Sequence, residues 1–122
     1  MNLTRAGMAL AALLAFTPVA IGGGTQKVPS TITYQNSVDN GTFIHQGEVK
    51  SELRRCERDR RVDLYGEGFD EPFESDRTND EGRYRIVMPG DGIPQDYYTR
   101  VRPLHKGSIT CKGDESKHKP LD

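Results

Sequence analysis

The sequence predicts an all-β fold, a sandwich of short strands, and three features lead to this prediction. Beyond the first 24 residues, apolar side chains recur with a period of two rather than 3.6, which is typical of half-buried strands. Gly, Pro and Asn-Gly breakers interrupt this alternation roughly every 8 to 12 residues, as they do between the strands of a sandwich. Hydrophobic residues make up only 34% of the chain and Trp is absent, so the core must be small.

The N-terminal segment predicts export from the cytoplasm. Residues 1–5 carry one positive charge, and residues 6–21 form an apolar run that ends in small residues. Because this run is shorter than the roughly 20 residues that span a bilayer, residues 1–24 are expected to be a cleaved secretory signal peptide. An uncleaved membrane anchor is the alternative. We therefore expect a secreted mature chain that has no stable membrane span.

The first predicted strand belongs to an N-terminal segment, residues 25–41. This segment begins as a polar linker, continues as a strand at residues 31–34, and ends at a turn formed by Asn40-Gly41. Residues 42–112 are then expected to form the sandwich, and residues 113–122 a polar, frayed C-terminal tail.

Within residues 42–112, alternation assigns the side chains to an inner and an outer face. Residues 69–73 are predicted to be a short edge strand that Pro72 limits, and Arg61, Asp63 and Tyr65 are expected to point outward. The predicted inward-facing residues are Phe43, His45, Gly47 and Val49; Val62 and Leu64; Tyr84, Ile86 and Met88; Tyr97, Thr99 and Val101; and Ile109 with Cys111.

Two cysteines, Cys56 and Cys111, are expected to form a disulfide, because export places them in an oxidising compartment. Closing a loop between positions 56 and 111 should stabilise the fold by roughly 4 kcal/mol. Two free thiols or half of a metal site are the alternatives.

Four short motifs follow one another in a recognisable order: Gly47-x-Val49, Val62-x-Leu64, Thr78-x-x-x-Gly82-x-Tyr84 and Tyr97-x-Thr99-x-Val101. In this order the chain resembles the carboxypeptidase regulatory-like domain, a sandwich of the transthyretin (prealbumin) type that also occurs in collagen-adhesin B-type repeats. The resemblance implies a Greek-key sandwich of about seven short strands. Taken together with its leader, the whole chain is similar to small secreted bacterial proteins that serve as structural or binding modules. The isopeptide bond of the adhesin repeats would draw on Lys50 and Glu48 here.

The stretch from Thr78 to Ile86 can be a turn or a metal loop. Asn79 and Asp80 are turn formers, and Gly82 suits a positive φ before Tyr84 re-enters the core. Carboxylate and amide oxygens between Asp76 and Gly82 could instead hold a calcium ion, but they lack the spacing of an EF-hand. The turn is therefore preferred, and no metal site is predicted.

Catalysis is not predicted. The three histidines, His45, His105 and His118, have no spacing that pairs metal ligands or places a base beside a nucleophile, and His45 is expected to be a hydrogen-bonded core residue. Transthyretin-type hydrolases of 5-hydroxyisourate end in Tyr-Arg-Gly-Ser, whereas this chain ends in Lys-Pro-Leu-Asp. We expect no catalytic residue and no cofactor.

The best-defined candidate for a binding surface is an arginine-rich loop with the sequence RRCERDRR. Its five arginines offer bidentate donors to an anionic cell-surface polymer; they are Arg54, Arg55, Arg58, Arg60 and Arg61. Interspersed acids favour a plain solvated loop as the alternative. Nucleic acid is not an expected partner, because the chain is nearly neutral with a net charge of −1 and no aromatic residue adjoins the arginines.

Two functional classes follow. The first is a secreted non-catalytic module that binds an extracellular protein or polymer, or has a structural role at the cell surface. The second is an accessory or inhibitory domain acting on a secreted enzyme such as a carboxypeptidase, which the resemblance implies.

Overall fold

The computed structural model describes residues 26–89 and 95–121, and in these ranges the chain forms twelve short strands, one 3₁₀ turn and no α-helix. The expected signal peptide lies outside the described residues. No helix in the described ranges is long and apolar enough to cross a membrane. The elements are β1 (Gln26–Val28), β2 (Ser30–Ile32), β3 (Gln35–Asp39), β4 (Thr42–Ser51), the 3₁₀ turn (Arg54–Cys56), β5 (Arg61–Gly66), β6 (Glu74–Arg77), β7 (Arg83–Pro89), β8 (Asp96–Val101), β9 (Leu104–Lys106), β10 (Ile109–Cys111), β11 (Asp114–Glu115) and β12 (Lys119–Pro120).

Two antiparallel sheets form the sandwich, and a third, smaller sheet closes one end. In sheet A the long strand β4 is central, with β2 and β3 along one edge and β7 along the other. Sheet B has the order β8–β5–β6, and both β11 and β12 pair with the outer edge of β8. Sheet C has the order β9–β10–β1, in which β1 and β10 are parallel.

The connections between these sheets are of the Greek-key type. Strands β5 and β6 form a hairpin in sheet B, after which β7 crosses to sheet A and pairs with β4. Strand β8 then returns to sheet B beside β5. The prediction of an all-β sandwich is confirmed, although the N-terminal and C-terminal segments pair in several short pieces rather than as single strands.

The core lies between the inner faces of sheets A and B, where the predicted alternation is confirmed. Val49, Val62 and Leu64 are completely or almost completely buried, as expected for the central strands. Asn40 and Gly41 have positive φ angles of 51° and 75°, which is the backbone of a primed hairpin turn between β3 and β4. The main cluster comprises Ile32, Tyr34, Val49, Val62, Leu64, Tyr84, Ile86, Tyr97 and Val101.

Three local predictions are wrong. Residues 69–73 do not form the edge strand, which is the polar β6 immediately after them. The polar linker expected before residue 31 contains β1, and the polar β3 was not predicted between the first strand and the Asn40-Gly41 turn. The predicted frayed tail is tied to sheet B through β11 and β12, and its Ser116 is 6% exposed because its hydroxyl accepts a hydrogen bond from the Thr99 backbone N–H at 2.9 Å.

The predicted disulfide between Cys56 and Cys111 is confirmed, with a Cα–Cα distance of 5.5 Å. Both cysteines are completely buried in a second apolar cluster with Val28 and Ile109. The bond joins the 3₁₀ turn to β10, so it attaches sheet C to the loop that precedes β5. The geometry of the arginine-rich loop therefore depends on this end of the molecule.

Candidate functional site

The arginine-rich loop begins as a single 3₁₀ turn held by its backbone. The Cys56 N–H donates to the Leu53 carbonyl and the Glu57 N–H donates to the Arg54 carbonyl, each at 2.9 Å. Only the cysteine of the turn faces inward, so the side chains of Arg54 and Arg55 extend into solvent. Arg58, after the turn, is also exposed.

Arg60 does not belong to an accessible anion site, which corrects that part of the prediction. Its side chain is completely buried, and its two terminal nitrogens donate to the Ser30 hydroxyl and to three backbone carbonyls. The carbonyls are those of Cys56, Arg102 and Lys112, at distances between 2.6 and 3.1 Å. Burial lowers the pKa of this guanidinium below its ordinary value. Arg60 therefore joins the loop to sheet C and to the end of β8.

Arg61 is partly committed to the fold as well. Its Nε lies 3.1 Å from Oδ1 of Asp63, and the other oxygen of that carboxylate lies 2.7 Å from Nε of Arg102. Asp63 was predicted to point outward and does so, but this pair of arginines covers it completely. A ligand would have to compete with Asp63 for the guanidinium of Arg61.

The other three arginines are free of carboxylates within the described residues, since no side-chain oxygen of Asp or Glu lies within 4.0 Å of Arg54, Arg55 or Arg58 there. Two of the interspersed acids, Glu57 and Asp59, are engaged elsewhere. The Glu57 carboxylate accepts the Ser51 N–H at 3.0 Å, and the Asp59 carboxylate lies 3.4 Å from Arg77.

A lysine that the sequence did not indicate joins these arginines. Nζ of Lys106, on β9, lies 3.4 Å from the Arg55 carbonyl oxygen. The two residues are 51 positions apart, and the disulfide and sheet C bring them together. We refer to Arg54, Arg55, Arg58 and Lys106 as the cationic patch.

The stretch beginning at Thr78 is a turn, as predicted. Oδ1 of Asn79 accepts the backbone N–H groups of Glu81 and Arg83 at 3.0 and 2.9 Å. Gly82 has a φ of 80°, and a Cβ there would lie 2.6 Å from the Val49 carbonyl oxygen, so only glycine fits without strain.

Both ends of this turn are anchored in the core. Thr78 is buried, and its hydroxyl donates to the Glu57 carbonyl at 2.7 Å and accepts the Arg60 N–H at 2.8 Å. The Tyr84 hydroxyl donates to the Thr33 carbonyl at 2.7 Å and lies 2.9 Å from the Thr99 hydroxyl. The turn thereby positions the arginine-rich loop against the sandwich.

Two of the side chains that could supply calcium ligands, Asp76 and Asn79, have protein partners. Oδ2 of Asp76 accepts the Arg85 backbone N–H at 2.9 Å, and Asn79 is used as described above. Among residues 26–89 and 95–121, no group of three or more His, Cys, Asp and Glu side chains is arranged to hold a metal ion. Lys50 and Glu48, the isopeptide candidates, are exposed and form a long ion pair of 3.8 Å.

His45 is the hydrogen-bonded core histidine that the sequence predicts. It is 1% exposed, its Nδ1 lies 2.7 Å from the Tyr34 hydroxyl, and the two rings are stacked. Burial lowers the pKa of His45 to about 4 and raises that of Tyr34 to about 12. His105, by contrast, is exposed on β9, and its Nδ1 lies 2.9 Å from the Thr110 hydroxyl across the β9–β10 hairpin.

His118 completes a polar and aromatic cluster on the outer face of sheet B. Its ring stacks on Tyr98 at 4.0 Å, and its two nitrogens lie 2.8 Å from Glu67 and 3.1 Å from Glu115. These two carboxylates raise the pKa of His118 above its ordinary 6.5. Tyr65 stacks on Tyr98 in turn, so both tyrosines face outward yet are only 8% and 9% exposed.

Comparisons with known proteins do not assign the chain to a family. No protein-family model matches the chain, and no curated protein matches it in sequence. Among solved structures, the chain is similar to the human OSCAR ligand-binding domain, with 14% sequence identity and a TM-score of 0.48. The match covers 84% of this chain and 49% of the other, so it spans about half of that solved chain.

Proposed function

We propose that this protein is a secreted, non-catalytic β-sandwich module of the carboxypeptidase regulatory-like, transthyretin-like type, which binds an anionic polymer outside the cell through the cationic patch. The observation that carries the proposal is the set of three exposed guanidiniums at Arg54, Arg55 and Arg58 with no carboxylate partner in the described part of the chain. Free guanidiniums can bind carboxylate, phosphate or sulfate groups with two parallel hydrogen bonds.

The rigidity of the patch supports a binding role over a plain solvated loop. The loop is covalently attached to β10 through Cys56, and the buried Arg60 binds three carbonyl groups beneath it. A ligand would therefore lose little free energy in ordering the backbone of the loop. The disulfide also fits an extracellular location, because such bonds persist in oxidising compartments.

The overall charge supports local rather than long-range recognition. The whole chain has a net charge of −1, so any affinity for a polyanion must come from a concentrated surface patch. The non-catalytic part of the proposal is supported by the histidines, since His45 is buried against Tyr34 and both nitrogens of His118 are bonded to carboxylates.

The test is salt-gradient chromatography of the secreted protein on immobilised heparin, a sulfated polyanion. The variant carries Arg54, Arg55 and Arg58 changed to Ala, and the matched control carries the exposed Lys27, Lys50 and Lys117 changed to Ala. Both variants lose three positive charges; they differ in where those charges were and in losing guanidiniums rather than ammonium groups. We expect only the arginine variant to elute at clearly lower salt than the wild type, because it loses contacts that release counterions. Equal elution of the two variants would overturn the proposal.

A further inference from the structure

A polar groove of about 820 Å³ crosses the outer face of sheet A. The strand register shows which residues form its floor. Gln35 of β3 lies opposite Gln46 of β4, and Gln46 lies opposite Arg85 of β7. A second row beside it pairs Glu48 with Arg83. The groove therefore runs across the strands, and its floor extends over about 10 Å between the outer two.

The two rims of the groove come from sheet B. On one side, the Asn36 amide donates to the Pro120 carbonyl at 3.0 Å, which brings Lys119 of β12 to the edge of the groove. On the other side, the bond from the Arg85 N–H to Asp76 holds the end of β6, and Arg77 lines that rim. These rims make the face concave rather than flat.

The groove carries an excess of positive charge. Its lining includes four cations, Lys119, Arg77, Arg83 and Arg85, against two acids. Both acids are engaged: Asp76 accepts the Arg85 N–H, and the Glu48 carboxylate lies 3.7 Å from Arg83 and 3.8 Å from Lys50. The guanidinium of Arg85 has no carboxylate oxygen within 4.0 Å among the described residues, since Asp76 contacts only its backbone N–H.

The floor also offers hydrogen-bonding groups and little apolar surface. The lining includes the amides of Gln35 and Gln46 and the hydroxyl of Thr33, whereas its two tyrosines, Tyr34 and Tyr84, are 5% and 2% exposed. A peptide partner normally inserts apolar anchors or pairs with a strand edge, and a groove that crosses the strands over a polar floor suits neither. A ligand that carries both carboxylates and hydroxyls suits this groove better, because guanidiniums bind carboxylates and amides bind hydroxyls.

We propose that this groove is a binding site for a short acidic oligosaccharide whose sugars carry carboxylates. In this site the Arg85 guanidinium binds a carboxylate with its two-pronged donor set, and the amides of Gln35 and Gln46 bind sugar hydroxyls. Lys119 supplies positive charge at one end of the groove, and Arg77, which also lies 3.4 Å from the Asp59 carboxylate, is at the other end. The proposal goes beyond the cationic patch and does not depend on it, because the two surfaces share no residue.

The test is an NMR titration of the mature protein with a short oligogalacturonate. The same titration is run with the oligosaccharide in which the carboxylates are reduced to hydroxymethyl groups, and with an oligoglutamate of equal charge. We expect saturable shifts of the backbone amides of Gln35, Gln46 and Arg85 with the oligogalacturonate alone. Neither comparison ligand should reproduce them, because one lacks the carboxylates and the other lacks the hydroxyls.

Variants separate this site from the cationic patch. Arg85→Ala should weaken oligogalacturonate binding at least tenfold, Arg85→Lys should weaken it less, and the Arg54, Arg55, Arg58 triple variant should bind like the wild type. Arg85 is exposed, so its variants should unfold at the wild-type temperature. Equal binding of the reduced sugar or of oligoglutamate would overturn the proposal, as would shifts confined to the cationic patch or unchanged affinity of Arg85→Ala.

Discussion

Acid should destabilise this fold through one buried histidine. His45 lies on β4 with its ring between those of Tyr34 and Tyr97, and its Nδ1 is 2.7 Å from the Tyr34 hydroxyl. That hydroxyl also accepts a hydrogen bond from the Asn36 amide at 3.0 Å. A proton added to the His45 ring would place a positive charge in the buried core.

The size of the effect follows from the pKa of His45, which burial lowers from 6.5 to about 4. Between these two values the unfolded chain binds a proton that the folded chain does not, so the free energy of unfolding falls as the pH falls. Each unit of difference corresponds to about 1.4 kcal/mol, so the full loss is roughly 3 kcal/mol once the pH is below 4. For a small domain whose stability is about 5 to 15 kcal/mol, this is a large fraction.

Urea denaturation at pH 7.5 and at pH 4 measures this loss, with His45→Gln and His45→Phe as comparison variants. Both variants lack the titrating group, while other groups titrate equally in all three proteins and cancel in the differences. The advantage of the wild type over each variant should shrink by about 3 kcal/mol on acidification, although the two variants differ in absolute stability. A difference that stays constant between the two pH values would refute the reasoning.

Three further predictions concern other parts of the fold. Changing both Cys56 and Cys111 to Ala should lower the free energy of unfolding in urea by about 4 kcal/mol, since the unfolded chain is no longer closed into a loop. Tyr84→Phe should cost about 1 to 3 kcal/mol in the same assay, because the Thr33 carbonyl loses its donor and the buried Thr99 hydroxyl loses a partner. The advantage of the wild type over His118→Gln, measured by thermal unfolding, should be largest below pH 6.5 and should decline as the pH rises through the raised pKa of His118, the opposite sign to His45.

The central strands could be predicted from the sequence because their side chains face two different environments. Along β4, β5, β7 and β8, residues such as Val49, Leu64 and Ile86 recur every second position and meet in one core. The hairpin turn at Asn40-Gly41 could also be predicted from the sequence, since both residues tolerate a positive φ. Alternation and turn chemistry are local, so a single sequence carries them.

The edge strands could not be predicted in this way. Strands β3 (Gln35–Asp39) and β6 (Glu74–Arg77) are polar, and their place depends on backbone hydrogen bonds to β4 and β5. Conversely, Phe69 and Phe73 resemble a strand in composition, but their rings pack against each other at 5.1 Å within the loop before β6. Backbone hydrogen bonds between distant segments do not require a particular order of apolar and polar side chains, so the sequence pattern does not indicate them.

The arginine-rich loop shows the same limit at the level of a single residue. Nothing near Arg60 distinguishes it from its neighbours, yet it is the one arginine of the loop that is completely buried. Its burial depends on the carbonyls of Arg102 and Lys112, which are 42 and 52 positions away in the chain. The sequence could identify a cationic loop, but only the fold separates the structural arginine from those available to a ligand.

The C-terminal segment explains why the two outer faces of the sandwich differ. On sheet B, Glu115 bonds Arg100 at 2.8 Å and His118 stacks on Tyr98, so a segment read from its composition as a loose tail covers the aromatic side chains of that face. In the described part of the chain no comparable segment covers the outer face of sheet A. Its planar polar side chains at Gln46 and Arg85 therefore remain open to solvent between the rims. By closing one face and supplying Lys119 to the rim of the other, the same short segment determines which face a ligand can reach.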